Sequence, residues 1–149
     1  MKDEKFKKWY MNTEVFTYHN ENPEPKKRGY VWDRADCVIR ALAKAGNISW
    51  LEAFDFLTEK ARRDFNVVND GVASRKWMEE AGAVWTPCKA EKGKARMKVG
   101  EFAKAHPKGR FVIHMANHQA ACVDGKVYDV WNCTDKAVVG YLDMTNFTI

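Results

Sequence analysis

The stretch HQAACVDGKVYDVW, residues 118–131, carries the clearest strand pattern in the chain. Apolar and polar residues alternate on both sides of Asp124-Gly125, a dipeptide typical of two-residue hairpin turns because both positions tolerate a positive φ. With this turn, Cys122 pairs with Val127, and the register extends outward from that pair. The stretch therefore predicts a β-hairpin with a defined register.

This register places a histidine beside a carboxylate. His118 pairs with Trp131 and Ala120 with Asp129, and side chains two residues apart share a face of the sheet. His118 and Asp129 are then diagonal neighbours about 7–8 Å apart, close enough for a carboxylate to reach an imidazole. Asn132 points to the opposite face, although a one-residue bulge at the turn would exchange the two. We predict Asp129 as the partner of His118, with Trp131 and Asn132 as neighbours of the site.

A short helix far upstream supplies a cysteine. The segment ADCVIRAL, residues 35–42, puts Cys37 in the first turn of an otherwise apolar helix that ends at Gly46. Arg40 and Lys44, spaced one helical turn apart, are predicted to mark its solvent side. Because the rest of this helix is apolar, we predict that it lies at the centre of the fold.

Cys37, His118 and Asp129 are the residue types of a nucleophilic thiol. A free thiol has a pKa of about 8.5 and reacts as its thiolate. The unpaired amides of a first helical turn and a protonated histidine lower that pKa, and a carboxylate holds the imidazole in one tautomer. Asp33 or Asp36, the predicted N-cap, opposes this effect because a nearby negative charge raises a thiol pKa. Cys37 as a nucleophile and Cys37 as a packing residue both stay open at this point.

The rest of the chain predicts helices followed by strands. Ser49-Trp50-Leu51-Glu52 is a capping box, and it starts a helix whose buried stripe runs from Trp50 through Phe54 to Phe65. Further helices are predicted over 73–81 and 99–106, and extended segments over 14–18, 83–86, 111–115 and 138–142. Helices before an antiparallel sheet predict an α+β fold. At 149 residues, we expect one domain over residues 1–149, with 1–15 as a loosely attached N-terminal segment.

Composition disfavours several classes of protein. No apolar run approaches the ~20 residues of a membrane helix, and the charged N-terminus leads into no signal-peptide core. We therefore expect a cytoplasmic protein with no membrane partner. The four cysteines form no C-x-x-C pair, which disfavours zinc, and a reducing compartment disfavours disulfides. No metal and no cofactor are predicted, with a Cys/His metal site kept as a minor alternative.

The net charge of +5 is unevenly distributed. Lys26-Lys27-Arg28 is one basic run, and a second begins at Lys89 and ends at Lys98. Such runs attract phosphate backbones, but they are more often solvated loops. Neither run interleaves aromatic residues that could stack on bases. Nucleic acid, bound through residues 89–98, is therefore an alternative partner that the sequence does not favour.

Three of these stretches, residues 36–41, 101–109 and 118–131, resemble a group of small phage and bacterial proteins that is similar to papain-like cysteine peptidases. Papain-like folds set a cysteine at the start of a central helix against a histidine and an Asp or Asn on a following antiparallel sheet. The resemblance covers roughly residues 16–141. It implies Cys37 as nucleophile, His118 as general base and acid, and Asp129 as the orienting residue. For a phage-encoded chain, it also implies the host cytoplasm.

The resemblance implies a papain-like cysteine hydrolase that cleaves an amide, peptide or related acyl bond, with a peptide or protein as substrate. Papain-like enzymes usually carry a Gln or Asn shortly before the cysteine to bind the oxyanion, and residues 23–36 contain neither. Asn20 or Asn22 is predicted to fill that role beside the Cys37 backbone amide. The weak donor set motivates an alternative: a papain-like module with little or no activity that binds a host protein or nucleic acid.

Overall fold

Five helices and six strands make up the part of the chain that the structure, a computed structural model, describes: residues 2–23 and 35–149. The helices are α1 (Lys2–Tyr10), α2 (Cys37–Gly46), α3 (Trp50–Arg63), α4 (Gly71–Glu80) and α5 (Val99–Ala105). The strands are β1 (Phe16–Tyr18), β2 (Val84–Pro87), β3 (Arg110–Met115), β4 (His118–Val123), β5 (Lys126–Asp129) and β6 (Gly140–Asp143). The α+β class is as predicted. Asp33 and the basic run at residues 26–28 lie outside the described residues.

The six strands form one mixed sheet in the order β1-β5-β4-β3-β6-β2. Four neighbouring pairs are antiparallel, whereas β1 runs parallel to β5. The prediction of a purely antiparallel C-terminal sheet is therefore wrong, and β1 and β2 join it from earlier in the chain. A three-residue strand such as β1 carries too short a pattern to indicate which distant strand it pairs with.

The hairpin register is confirmed for the three pairs next to the turn, whereas the predicted outward pairs Ala120–Asp129 and His118–Trp131 lie beyond the paired residues. Cys122 pairs with Val127, and Asp124 and Gly125 have φ values of 48° and 79°, the left-handed conformation that the tight turn needs. The predicted strand over residues 126–131 stops at Asp129. Since β4 begins at His118 and β5 ends at Asp129, both residues lie at the same end of the sheet, which we call the His118 end.

Alternate residues of the sheet belong to two separate cores. Val112 and Leu142 pack with Leu42 of α2, and α2 is buried over eight of its ten residues. Ile113 packs with Phe102 of α5 on the opposite face. This period of two is what a sheet covered on both sides requires. Within the described residues, no helix has the length and apolar character to cross a membrane.

The predicted apolar stripe of α3 is correct in the middle and wrong at its end. Leu57 and Ala61 are buried, but Phe54 is partly exposed. Helix α3 ends at Arg63, so Phe65 lies beyond it, with φ 53° and an exposed fraction of 98%. Because the chain turns before Phe65, helical spacing no longer determines which way its side chain points.

Candidate active site

Cys37 is the first residue of α2, where a backbone N–H has no partner within the helix. It is half-buried and lines an open cleft of about 440 Å³. His118 lines the same cleft. The start of the central helix and the His118 end of the sheet therefore meet at one cavity.

The three predicted catalytic side chains come together there. Asp129 Oδ2 lies 2.5 Å from His118 Nε2. This contact occupies Nε2 and leaves Nδ1 for another partner. A hydrogen-bonding interaction with His118 and the backbone of Gln119 both lower the pKa of the Cys37 thiol. Cys37, His118 and Asp129 therefore influence one another's ionisation.

The electrostatics of the pair favour a thiolate and an imidazolium. Burial of the thiol opposes its ionisation, but the hydrogen bond and positive charge of His118 outweigh it and hold the pKa of Cys37 below its ordinary value. Burial likewise opposes the charge on His118, but the hydrogen bonds to Asp129 and Cys37 raise the pKa of His118 to about 9. His118 is therefore protonated near neutral pH, and its charge favours ionisation of the neighbouring thiol.

Arg40 is buried, with an exposed fraction of 8%, and the prediction that it marks the solvent side of α2 is wrong. Its Nη1 donates to Asp129 Oδ1 at 2.8 Å, and its Nε donates to Asp36 Oδ1 at 2.8 Å. A guanidinium can bridge two carboxylates in this way, whereas a lysine ammonium presents a single point charge. Arg40 therefore fixes Asp129 with its other oxygen towards His118.

Asp36 occupies the predicted N-cap position, but its side chain does not cap the helix. The carboxylate accepts hydrogen bonds from Arg40, from Asn22 Nδ2 at 3.1 Å and from Trp50 Nε1 at 3.2 Å. Because Arg40 balances its charge, the expected unfavourable effect of Asp36 on a thiolate is offset. The pKa of Cys37 is lowered despite this neighbouring acid.

A further thiol contacts the same carboxylate. Burial and the neighbouring Asp129 raise the pKa of Cys133 well above its ordinary value, so its S–H stays protonated and donates to that carboxylate. Ligand atoms of His118, Asp129 and Cys133 lie within 4.8 Å of one another, the spacing of a potential metal site. However, Asp129 Oδ1 already accepts from Arg40 and from the backbone N–H of Val130. A protonated thiol and an occupied carboxylate fit a hydrogen-bond hub better than a metal centre.

The predicted oxyanion donors lie apart from the cleft lining. The Asn22 amide donates to Asp36, and Asn20 Oδ1 accepts from the Asn22 backbone N–H at 3.0 Å. Neither residue occurs among the described residues that line the cleft, whereas Asn69 and Asn117 do. The role of Asn20 or Asn22 in binding an oxyanion stays a prediction.

The segment before Cys37 has a strained backbone. Ala35 has φ 62°, a left-handed conformation that costs a non-glycine residue about 1–2 kcal/mol. Its carbonyl oxygen accepts from Asn69 Nδ2 at 2.5 Å. Asn69 precedes α4, which begins at Gly71, two residues earlier than predicted, because Asp70 accepts from the backbone N–H of Ala73. The α3–α4 connection thus contacts the residue two positions before Cys37.

Trp131 and Asn132, the predicted site neighbours, have different positions. The centroid of the Trp131 ring lies 4.9 Å from that of the His118 ring and 5.7 Å from that of the Trp9 ring in α1. Trp131 also lines the cleft. Asn132 donates its backbone N–H to the Trp9 carbonyl at 2.7 Å, and its Oδ1 accepts from the backbone N–H of Thr134 at 3.0 Å. Trp131 therefore covers His118, while the Asn132 side-chain oxygen is bonded to Thr134.

His114, Cys122 and Cys88 have pKa shifts opposite in direction to those of His118 and Cys37. His114 also lines the cleft, but its ring packs edge-on against Trp85, 5.0 Å away, and burial together with Arg75 lowers its pKa to about 4. Burial raises the pKa of Cys122 to about 12, and it also raises the pKa of Cys88. These histidine and cysteine side chains are therefore neutral at pH 7.

Arg40 and Gln119 contribute to this site, although neither is among the site residues predicted from the sequence. Arg40 had a usable signal, since it follows Asp36 by four residues and Cys37 by three, and helical side chains at those spacings share a side. Gln119 had none, because its backbone is what lowers the pKa of Cys37, and every non-proline residue has a backbone N–H.

Comparison with known proteins gave no match: no protein-family model, no curated protein and no solved structure is significantly similar to this chain.

Proposed function

We propose that the protein is a papain-like cysteine hydrolase that cleaves an amide, peptide or related acyl bond. One observation carries the proposal: Cys37 and His118 line the same open cleft, and His118 Nε2 lies 2.5 Å from Asp129 Oδ2. The lowered pKa of Cys37 and the raised pKa of His118 give these residues the charge state of an activated nucleophile.

The first half of the reaction forms a thioester. The Cys37 thiolate attacks the substrate carbonyl carbon, so that an S–C bond forms and the π electron pair moves to oxygen. The free N–H at the start of α2 donates to this oxyanion. The tetrahedral intermediate then collapses as His118 Nδ1–H protonates the leaving nitrogen, and the C–N bond breaks.

The second half releases the acyl group. Neutral His118 takes a proton from water, and the resulting hydroxide attacks the thioester carbonyl. Collapse of this second intermediate breaks the S–C bond, frees a carboxylic acid and returns the sulfur to its thiolate. Throughout, Asp129 holds the imidazole in one tautomer, and Trp131 shields its ring from water.

The test is a Cys37-dependent cleavage of peptides. The protein and its Cys37→Ala variant are incubated with the same complex peptide library, and mass spectrometry identifies new termini. We expect new termini with the unaltered protein alone. Identical products from both, or no new termini from either together with no covalent trapping of Cys37 by a peptide aldehyde, would contradict the proposal.

A second candidate function is a papain-like module that binds a host protein without hydrolysis. It is favoured by one observation, that the Asn22 amide is engaged by Asp36, so that the predicted side-chain donor for an oxyanion is already bonded. A binding module should retain its partner after Cys37→Ala and should show no turnover of that partner. Loss of the partner through cleavage by the unaltered protein would exclude this candidate.

A further inference from the structure

Most of the net charge of the chain lies in one exposed loop. Residues 89–98, here called the basic loop, are all exposed. They hold five of the chain's 25 basic residues and one of its 20 acidic residues, and so four of its five net positive charges. The basic residues are Lys89, Lys92, Lys94, Arg96 and Lys98.

Backbone hydrogen bonds fix both ends of the basic loop to one segment, residues 136–139. Before the loop, the Cys88 N–H donates to the Val139 carbonyl at 2.9 Å. At its end, the Val138 N–H donates to the Met97 carbonyl at 2.8 Å. The Val139 N–H in turn donates to the carbonyl of His114, which lines the cleft. The loop is therefore anchored one strand away from the cleft.

The direction of the strands puts the basic loop at the same end of the sheet as the nucleophile. Strand β2 is antiparallel to β6, which is antiparallel to β3, so β2 and β3 run in the same direction. Strand β3 ends at Met115, at the His118 end, and the loop leaves β2 after Pro87 at that end as well. The basic loop and the cleft therefore lie at the same end of the sheet, and the loop leads into α5 on the sheet face opposite α2.

A second group of cations lies beside the cleft. Helix α1 contacts the cleft wall through Trp9 and Trp131, whose rings are 5.7 Å apart. Three lysines of α1, Lys5, Lys7 and Lys8, are exposed, with Glu4 as the neighbouring acid. A ligand that leaves the cleft on this side or towards the basic loop therefore meets positive charge.

We propose that the basic loop binds acidic side chains of a polypeptide whose neighbouring amide enters the Cys37 cleft. This inference rests on the proposed function, because a thiolate that forms an acyl intermediate needs a carbonyl carbon, which polypeptides carry and nucleic-acid backbones lack. The loop also contains no aromatic residue on which bases could stack. The substrate class is therefore an acidic peptide or an acidic segment of a protein.

The test measures binding separately from cleavage. Cys37→Ala protein is titrated into three fluorescent probes: a peptide with a run of glutamates, a neutral Gly/Ser peptide of equal length, and a short single-stranded DNA. The loop variant is K92A/K94A/R96A. Its matched control, K104A/K108A/K126A, removes the same charge from exposed lysines around the ends of α5, β3 and β5 opposite His118.

We expect the glutamate peptide to bind more tightly than the neutral peptide and than DNA, with an affinity that falls between about 50 and 200 mM salt. The loop variant should lose about tenfold in affinity, since each exposed charge contact contributes modestly, and the control should change less than twofold. Equal losses in both variants, equal binding of acidic and neutral peptides, or preferential DNA binding would overturn the inference. None of these results depends on whether Cys37 is reactive, so failure of the proposed function is measured separately.

Discussion

His114 and His118 line the same cleft from neighbouring strands, yet they hold protons very differently. The pKa of His118 is raised to about 9, whereas that of His114 is lowered to about 4. Both are largely buried, so desolvation disfavours the charged form of each. His118 Nε2 bonds to Asp129, while His114 Nε2 has no hydrogen-bond partner within the described residues. The Asp129 carboxylate, rather than burial, therefore accounts for the opposite pKa shifts of the two histidines.

The buried carboxylate of Asp129 needs a compensating positive charge. Asp129 has an exposed fraction of 1%, and an isolated charge at such a site would be costly. Arg40 supplies the compensating charge and is itself paired with Asp36. Starting from Asp36, the buried series runs through Arg40, Asp129 and His118 to Cys37 with alternating sign. His114 has no such series behind it.

The largest effect is expected from removing the Arg40 charge that pairs with Asp129 and Asp36. Arg40→Met removes the cation that two buried carboxylates share, and removing one partner of a buried ion pair costs about 3–5 kcal/mol of unfolding free energy. Urea denaturation measures the loss. Arg63→Met is the matched control, because Arg63 pairs with Asp64 and Glu80 on the surface. Similar losses in both variants would contradict the special role of the buried series.

The low pKa of His114 should make the free energy of unfolding depend on pH. Unfolded His114 gains a proton as the pH falls through about 6.5, but folded His114 stays neutral until about pH 4. Because the unfolded state binds more protons in that window, stability falls with falling pH there, by up to about 3 kcal/mol. His114→Phe should remove this part of the slope. Parallel curves for the variant and the unaltered protein would show that His114 titrates normally.

The next largest effect is expected on the alkylation rate of Cys37. His118→Ala should slow alkylation of Cys37 by up to about 100-fold at pH 6.5, since a thiol with the ordinary pKa of about 8.5 is about 1% ionised there. Iodoacetamide labelling in a Cys88→Ser background measures the rate, since Cys122 and Cys133 are buried. His114→Ala is the control and should change the rate less than twofold. Equal effects of the two substitutions would remove the distinction between the histidines.

The smallest effect is expected from Asp129→Asn. Asparagine keeps an acceptor for Arg40 but removes the negative charge beside His118, so the pKa of His118 should fall from about 9 towards 6.5. Histidine NMR titration follows this change, with His114 as an internal reference. The alkylation rate at pH 6.5 should fall about tenfold, because an opposite charge shifts a partner's pKa by about one to three. An unchanged His118 midpoint would show that Asp129 does not set its charge.

Local chemistry in the sequence predicted the hairpin and its register. Asp124-Gly125 fixed which residues pair, and the pairing placed His118 near Asp129. Asp129 was preferred over Asn132 because of strand alternation, and the structure bonds Asp129 to His118. A two-residue turn constrains its neighbours directly, so this much follows from a short window.

Long-range contacts account for what the sequence did not predict. Because Lys44 follows Arg40 by four residues, the helical pattern predicts that Arg40 is exposed to solvent. Arg40 is instead buried, and it donates a hydrogen bond to Asp129, which lies 89 residues away in the chain. The parallel pairing of β1 with β5 has the same cause, since nothing in three residues specifies a strand more than 100 positions later. Phe65 was expected in the core because helical spacing was extended past the end of α3.

We propose that His118 lowers the pKa of Cys37 and so activates the thiol. The rate of Cys37 alkylation as a function of pH tests this in the Cys88→Ser protein, with labelling located by mass spectrometry. We expect a half-maximal rate at a pH below the 8.5 or so of a free thiol, and a return towards that value in His118→Ala. A midpoint at or above about 8.5 in the protein with His118 intact would contradict it.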